Sequence, residues 1–276
     1  MSMGSQSLTG RVAVVTGASR GIGRAIALAL ARAGADLVLA SKTVEPHPKL
    51  PGTLGDVARE VEALGRRALV VPTDVRFEDQ IANLARRTLD TFGHVDILIN
   101  NAGALWWRPV LETPVKRFDL VMGVNARAAF LCAQALLPSM IERRWGHIVN
   151  LSPPIDMRKL SGHVAYFMSK YGMTMLTLGL AEEVRAHNVA VHSLWPATVI
   201  ESQATINYQV GTPAQWRKAE ILADATLLIV SRPPSARTGQ ALIDEDLLRA
   251  EGVTDFDRYK CVPDGTPLRI DFLPTV

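Results

Sequence analysis

Seven short apolar runs recur through this sequence: VAVV (12–15), LVLA (37–40), ALVV (68–71), DILI (96–99), HIVNL (147–151), VAVHSL (189–194) and QALI (240–243). A strand that reads apolar on both faces belongs to a sheet covered on both sides, the situation of parallel strands joined by crossover helices. The intervening segments carry helical periodicity, roughly over 54–64, 77–92, 114–143, 162–186 and 214–230. In the segment after the first run, Ile22, Ile26, Leu30 and Ala33 form one stripe, and Gly34 follows as a C-cap signal. This alternation predicts one doubly wound α/β domain with a parallel sheet of about seven strands and right-handed crossovers. The domain is expected over 8–245. The tail 246–276 lacks clear periodicity and is expected as a C-terminal extension packed on the domain surface.

Composition excludes several classes of function. Formal net charge is only +3, from 30 basic and 27 acidic residues, and no Lys/Arg block suggests a nucleic-acid surface. The two cysteines, Cys132 and Cys261, lie far apart, and the six histidines show no ligand spacing, so neither a disulfide framework nor a metal site is expected. The start, MSMGSQSLTG, lacks the basic and apolar regions of a signal peptide, and no stretch approaches 18 uncharged apolar residues. A soluble, cytoplasmic protein with no membrane span is expected.

After the first apolar run comes TGASRGIG, residues 16–23. Gly17 permits a tight turn, Gly21 lets the backbone approach a pyrophosphate, and Gly23 allows close helix–strand packing. Ser19, Arg20 and Ile22 complete the loop, and the following helix N-terminus offers free N–H groups to phosphate. Three glycines can simply form a tight turn, but in this context, after the first strand and opening the first helix, they predict the dinucleotide-binding turn of a Rossmann sheet. At the end of the second run an acidic residue would favour NAD; here LASKT places Ser41 and Lys42, with Arg20 nearby. A hydroxyl and two cations suit a 2′-phosphate, so NADP(H) is the expected cofactor.

Residues 152–172 read SPPIDMRKLSGHVAYFMSKYG, and on a helix Tyr166 and Lys170 share one face. A cation within about 4–6 Å favours the phenolate and is expected to lower the Tyr166 pKa, making the phenol a usable proton shuttle. Asp74-Val75 follows the third run, NNAG (100–103) the fourth, and Asn125 sits in VNARAAF. This ordered set resembles the short-chain dehydrogenase/reductase family over roughly 8–245. A closer likeness, carried by SKTVEPHPKLPGT, NLSPP, AYFMSKYGM, LGLAEE and LWPATVI, is to members that also carry a sterol-carrier-like domain and a peroxisomal ending. On that likeness the sequence is expected to be the catalytic domain alone.

The resemblance implies that Tyr166 is the general acid/base, Lys170 its electrostatic partner and ribose ligand, and Asn125 the anchor of a proton-relay water. It implies that Asp74 and Val75 meet the adenine and that Asn101, Ala102 and Gly103 line the cofactor cleft, although the Asn101 amide would equally serve to hold neighbouring strands together. The family's catalytic serine lies thirteen residues before the tyrosine, which here is Pro153; Ser152 lies fourteen before it. Either the loop is one residue longer and Ser152 takes the role, or the hydroxyl is absent and substrate binding differs. Trp106, Trp107 and Trp195, with Met157, Leu160 and the segment 200–208, suggest an apolar pocket, whereas His163, Arg158 and Lys159 read as solvated loop residues. The implied activity is hydride transfer between NADP(H) and a carbonyl or alcohol of an apolar small-molecule substrate. The alternative is a catalytically impaired NADP(H)-binding sensor or scaffold. By analogy with the family, helices 114–143 and 162–186 are expected to pair the chain into a homodimer or homotetramer.

Overall fold

The structure is a computed structural model that describes residues 7–46, 51–156, 158 and 160–270. Met157 and Lys159, named above, lie outside the described residues. The seven apolar runs become seven strands: β1 Val12–Thr16, β2 Asp36–Ser41, β3 Ala68–Pro72, β4 Ile97–Asn100, β5 Gly146–Asn150, β6 Val189–Trp195 and β7 Gln240–Ile243. All pair in parallel in one sheet of order β3-β2-β1-β4-β5-β6-β7. The doubly wound parallel sheet expected from the sequence is therefore present.

Residue alternation divides the core into two layers. Ala13, Val15, Leu37, Leu39, Ile97, Ile99 and Val149 face one helical layer. Val12, Val14, Val38, Ala40, Leu98 and Ile148 face the other. Because successive side chains point to opposite faces, every residue of β1 must be apolar or satisfied, which is why all five are buried. The first layer is built on α1 (Gly21–Arg32), α2 (Leu54–Ala63) and α8 (Glu220–Val230); the second on α3 (Glu78–Phe92), α5 (Ala128–Arg143) and α6 (Val164–Val184). Chain order reverses between β1 and β4, so the crevice opens outside the carboxyl ends of these two strands.

Four segments depart from the sequence expectation. The helix expected over 114–143 is α4 (Val115–Met122), a π-helical turn (Gly123–Arg127) and α5 in one run. The π turn accommodates Asn125, whose side chain is fully bonded to neighbouring elements (below). By length and composition the run Val115–Arg143 is apolar enough to cross a bilayer, contrary to the reading above. In the fold its Ala128, Cys132, Leu136 and Met140 pack in the second core layer, as a core helix does. The helix expected over 214–230 begins only at Glu220, because Arg217 is drawn into extended bridges with Ile200 and Lys260. Two helices had no clear sequence signal: α7 (Gln203–Asn207) and α9 (Asp244–Ala250). The first turn of α9 holds Asp244, Glu245 and Asp246, a charge pattern that suits a helix N-terminus.

Candidate active site

A cleft of about 550 Å³ lies at the carboxyl ends of the strands. Every residue expected to bind cofactor lines it: Gly17, Ser19, Arg20, Gly21, Ile22, Gly23, Ser41, Lys42, Asp74, Val75, Asn101, Ala102, Gly103, Tyr166 and Lys170. The glycines have distinct reasons. A Cβ on Gly23 would sit 2.3 Å from the Gly17 carbonyl oxygen, and one on Gly17 would meet Asn101 Nδ2 at 2.8 Å. These two permit close packing. Gly21 adopts φ +51° with nothing within 4 Å of a notional Cβ, so bare backbone faces open cleft. The N-terminus of α1 carries no side-chain cap and no acidic residue in its first turn. Its N–H groups and dipole remain available to a phosphate, and this cradle fits a dinucleotide.

Asn101 holds the turn and also lines the cleft. Its Nδ2 donates to the Thr16 carbonyl at 2.8 Å and the Gly17 carbonyl at 3.2 Å. Thr16, which the motif reading passed over, completes the splice: its hydroxyl accepts from the Asn101 and Ala102 amides and donates to the Ile99 carbonyl. At the tip of β2, Ser41 shares a 3.3 Å hydroxyl contact with Ser19. The Arg20 guanidinium donates to the carbonyls of Pro51 and Gly52, so it clasps the loop before α2 while lining the cleft. Arg76, also unanticipated, lines the cleft and grips Asp74, holding that carboxyl below its ordinary pKa.

Opposite this cradle, α6 presents Tyr166 and Lys170 one turn apart, both lining the cleft and nearly buried. The Lys170 ammonium donates to the Leu151 carbonyl at 2.8 Å and lies 5.5 Å from the Trp195 ring centroid. Burial holds Lys170 down to about 7. Burial, with the Tyr208 phenol adding to it, pushes Tyr166 above its ordinary value. This reverses the sequence expectation that Lys170 depresses the phenol, because desolvation outweighs a neighbour that itself sheds charge.

Asn125 lies behind the cleft lining. Its Oδ1 accepts from the Ala104 amide at 2.8 Å, and its Nδ2 donates to the Ala104 carbonyl and the Ser169 hydroxyl. A Cβ on Gly103 would lie 3.5 Å from Asn125 Oδ1 and 3.7 Å from Lys170 Nζ, so the two polar side chains flank that glycine. Ser152 is not brought to the cleft among the described residues. It is fully buried and shares a 2.9 Å hydrogen bond with the Thr174 hydroxyl. Thr174 donates its one proton most favourably to the Pro153 carbonyl at 2.7 Å, which leaves the Ser152 proton for Thr174.

Of the three tryptophans, Trp107 and Trp195 line the cleft, whereas Trp106 lies under the Arg117 guanidinium, 4.8 Å from its ring centroid. Trp107 packs edge-on against His163 and Tyr166 and at a tilt against Tyr208. His163 is therefore buried behind Trp107 rather than solvated, its Nδ1 paired with the Ser161 carbonyl. Arg158 is exposed and grips Asp156. Tyr208 donates to the Leu105 carbonyl at 2.7 Å. Trp107 and the segment 200–208, which holds Tyr208, are expected from the sequence at an apolar pocket. Their meeting with His163 and Tyr166 at the start of α6 is not, because the four residues come from segments far apart in the chain. Among the described residues no group of acidic, histidine or cysteine side chains is arranged to hold a metal.

The chain is similar to known proteins over nearly its whole length. The family model of the short chain dehydrogenases matches residues 11–209. Hydroxysteroid dehydrogenase-like protein 2 of Danio rerio is 46% identical over 270 residues, 96% of this chain. The chain spans about 64% of the length of that relative. A solved structure from Xanthomonas campestris superimposes with a TM-score of 0.93 at 43% identity, covering 97% of this chain and 99% of its own. A metagenomic short-chain oxidoreductase in complex with NADP gives 0.73 at 33%, covering 86% and 97%. A short chain dehydrogenase from Mycobacterium paratuberculosis, described bound to NAD, gives 0.73 at 25%, covering 86% and 97%. Sheet order, glycine turn and the Tyr166/Lys170 pair thus converge with these likenesses: the chain belongs to the short-chain dehydrogenase/reductase family of oxidoreductases.

Proposed function

We propose that this chain is an NADP(H)-dependent oxidoreductase that interconverts a carbonyl and an alcohol on an apolar substrate, with Tyr166 as general acid/base. One observation carries the reading: a single cleft joins an uncapped helix N-terminus and bare Gly21 backbone to the buried Tyr166/Lys170 pair. The turn 17–23 would hold the phosphates, and Ser41 and Lys42 would receive a 2′-phosphate, a reading supported by the relative described in complex with NADP. Bound NADP(H) supplies or accepts the hydride. Tyr166 holds the substrate oxygen and gives or takes its proton. Lys170, fixed by the Leu151 carbonyl one turn from Tyr166, would hold the cofactor ribose and, in its ammonium form, stabilise developing phenolate. Asn125 positions rather than reacts, tying Ala104 to Ser169 and so fixing the edge of the cleft against α6.

In this reading the phenol is the principal hydroxyl offered to substrate, with Ser152 engaged by Thr174. Loss of one donor typically costs about 10²–10³ in rate, so turnover is slow but retained. Trp107, Trp195 and Leu120 give the substrate side an apolar wall, which supports an apolar carbonyl compound. Phe130 on α5 and Met168, Met175 and Leu178 on α6 are exposed and support pairing of these helices in a homodimer or homotetramer. Both cysteines are free, in keeping with a reducing, cytoplasmic setting. The test is titration with NADPH and NADH, then turnover of a panel of apolar ketones and aldehydes. Tighter NADPH binding with NADPH-dependent alcohol formation supports the reading. Binding without turnover across the panel would move it to a sensor.

A further inference from the structure

The wall of the cleft that follows β6 is held by the far end of the chain. Val199 and Ile200 line the cleft, and so does Ile270, from the C-terminal tail. Val199 is bonded on both sides: its N–H donates to the Leu268 carbonyl at 2.9 Å, and its carbonyl accepts from the Arg217 amide at 2.9 Å. The Ile270 amide donates to the Ala197 carbonyl at 3.0 Å, and the Glu201 amide to the Arg217 carbonyl at 2.8 Å. On its outer side the Arg217 strip meets the tail again, through Lys218 N–H to the Tyr259 carbonyl and Cys261 N–H to the Trp216 carbonyl. Four chain segments thus form a small ladder, two of them from the tail, with bridges Thr198↔Arg269, Ile200↔Arg217 and Arg217↔Lys260.

Side chains pin this ladder to the domain. Arg217 donates to Glu245 at 2.5 Å in a nearly buried pair, and Arg249 completes it from the other carboxylate oxygen. The buried Asp244 carboxylate accepts from the Ala197 amide at 2.8 Å. Tyr259 donates to Asp224 on α8 at 2.6 Å. Independently, buried Gly265 runs so close to Ala214 that a Cβ would fall 2.2 Å from its carbonyl oxygen. The tail is therefore fitted against the strip 214–218 and is not loosely laid on it. The wall begins two residues after Trp195, whose ring lies beside Lys170, so it borders the reacting end of the cleft.

We infer that residues 256–270 are a positioning strap for the wall 197–201, with Arg217 as its hub, and that the strap sets how tightly the nicotinamide end of a dinucleotide is held. The inference rests on the dinucleotide reading above for its ligand, but its contact with the wall is independent of that reading. A wall tied by several backbone bonds opens only when they break together, so its amides exchange slowly. A wall that is in place only part of the time weakens binding by that fraction.

The experiment is hydrogen exchange at Val199 and Ile270 together with NADPH titration, on the full chain. The wild type is expected to protect both amides without added dinucleotide. Gly265→Ala, outside the cleft, is expected to speed Val199 exchange and to raise the NADPH dissociation constant, each by about tenfold. Should that variant fold poorly, Arg217→Met is expected to do the same and Arg217→Lys to restore both readouts. A role in global stability alone would lower the melting temperature and leave the dissociation constant of the folded protein unchanged; that result overturns the inference. So does rapid Val199 exchange in the wild type. Failure of the dinucleotide reading looks different: Val199 stays protected while the wild type binds neither NADPH nor NADH, which overturns the assigned ligand but not the strap's hold on the wall.

Discussion

The two sides of the cleft are built by different physics. The β1–β4 side is shaped by backbone conformation within a few residues, with Gly21 at positive φ, Gly23 against Gly17 and an α1 N-terminus left uncapped, and is then locked by Asn101 from the end of β4. The α6 side depends on burial and on partners from distant segments: Lys170 on Leu151, Trp107 on His163 and Tyr208. A local constraint forces residue type, whereas a distant one forces only shape. The first side consequently admits few substitutions, whereas the second admits more so long as the packing is kept.

The sharpest way to break this comparison is Tyr166→Phe. It is expected to reduce turnover by at least about 10³-fold while leaving NADPH affinity within about twofold, measured by steady-state rates and fluorescence titration. Loss of binding in that variant would mean the two sides are not separable. Next in size, Gly23→Ala places a methyl carbon against the Gly17 carbonyl and is expected to cost about 1–3 kcal/mol of stability, read by denaturant unfolding, and to weaken NADPH binding. Lys42→Glu removes the cation expected to meet the 2′-phosphate and adds an anion there. It should shift the NADPH/NADH affinity ratio toward NADH by about 10–100-fold, roughly the loss of one or two charge-assisted contacts.

The α6 side also predicts a pH dependence. Lys170 is held down to about 7 by burial, so its ammonium is present below that pH and is lost as pH rises through it. Carbonyl reduction should therefore decline on the alkaline side, and Lys170→Arg, which does not deprotonate, should lack that decline at whatever rate it retains. The linked stability runs the other way. Between about 7 and the ordinary lysine value the unfolded chain holds a proton the folded chain has released, so this group makes the fold more stable as pH rises through that window. The smallest expected effect is Ser152→Ala. With its hydroxyl directed to Thr174, turnover should change by less than about threefold, and unfolding should cost about 1 kcal/mol for one lost hydrogen bond. A collapse of turnover would return Ser152 to the substrate.

What was legible in the sequence follows the same division. The strands were readable because burial on both faces demands continuous apolar runs, and the glycine turn because only glycine meets its contacts. The Tyr166/Lys170 pair was readable because i and i+4 share a helix face. The direction of their pKa shifts was not, since desolvation depends on everything packed around them. The π turn at Asn125 was invisible, because one extra residue in a turn leaves helical periodicity nearly unchanged. Arg217 looked helical from its neighbours, yet it pairs with Ile200 and Lys260, contacts that no local window contains. The offset of Ser152 by one residue was visible in the sequence, but its hydrogen-bond partner was not, because Thr174 lies twenty-two residues away.

The most direct test of the central claim is single-turnover carbonyl reduction by wild type and Tyr166→Phe, each saturated with NADPH, using an apolar ketone selected from the panel. The account predicts NADPH oxidation and alcohol formation in the wild type only, with both proteins binding NADPH. Equal rates in the two proteins would contradict it.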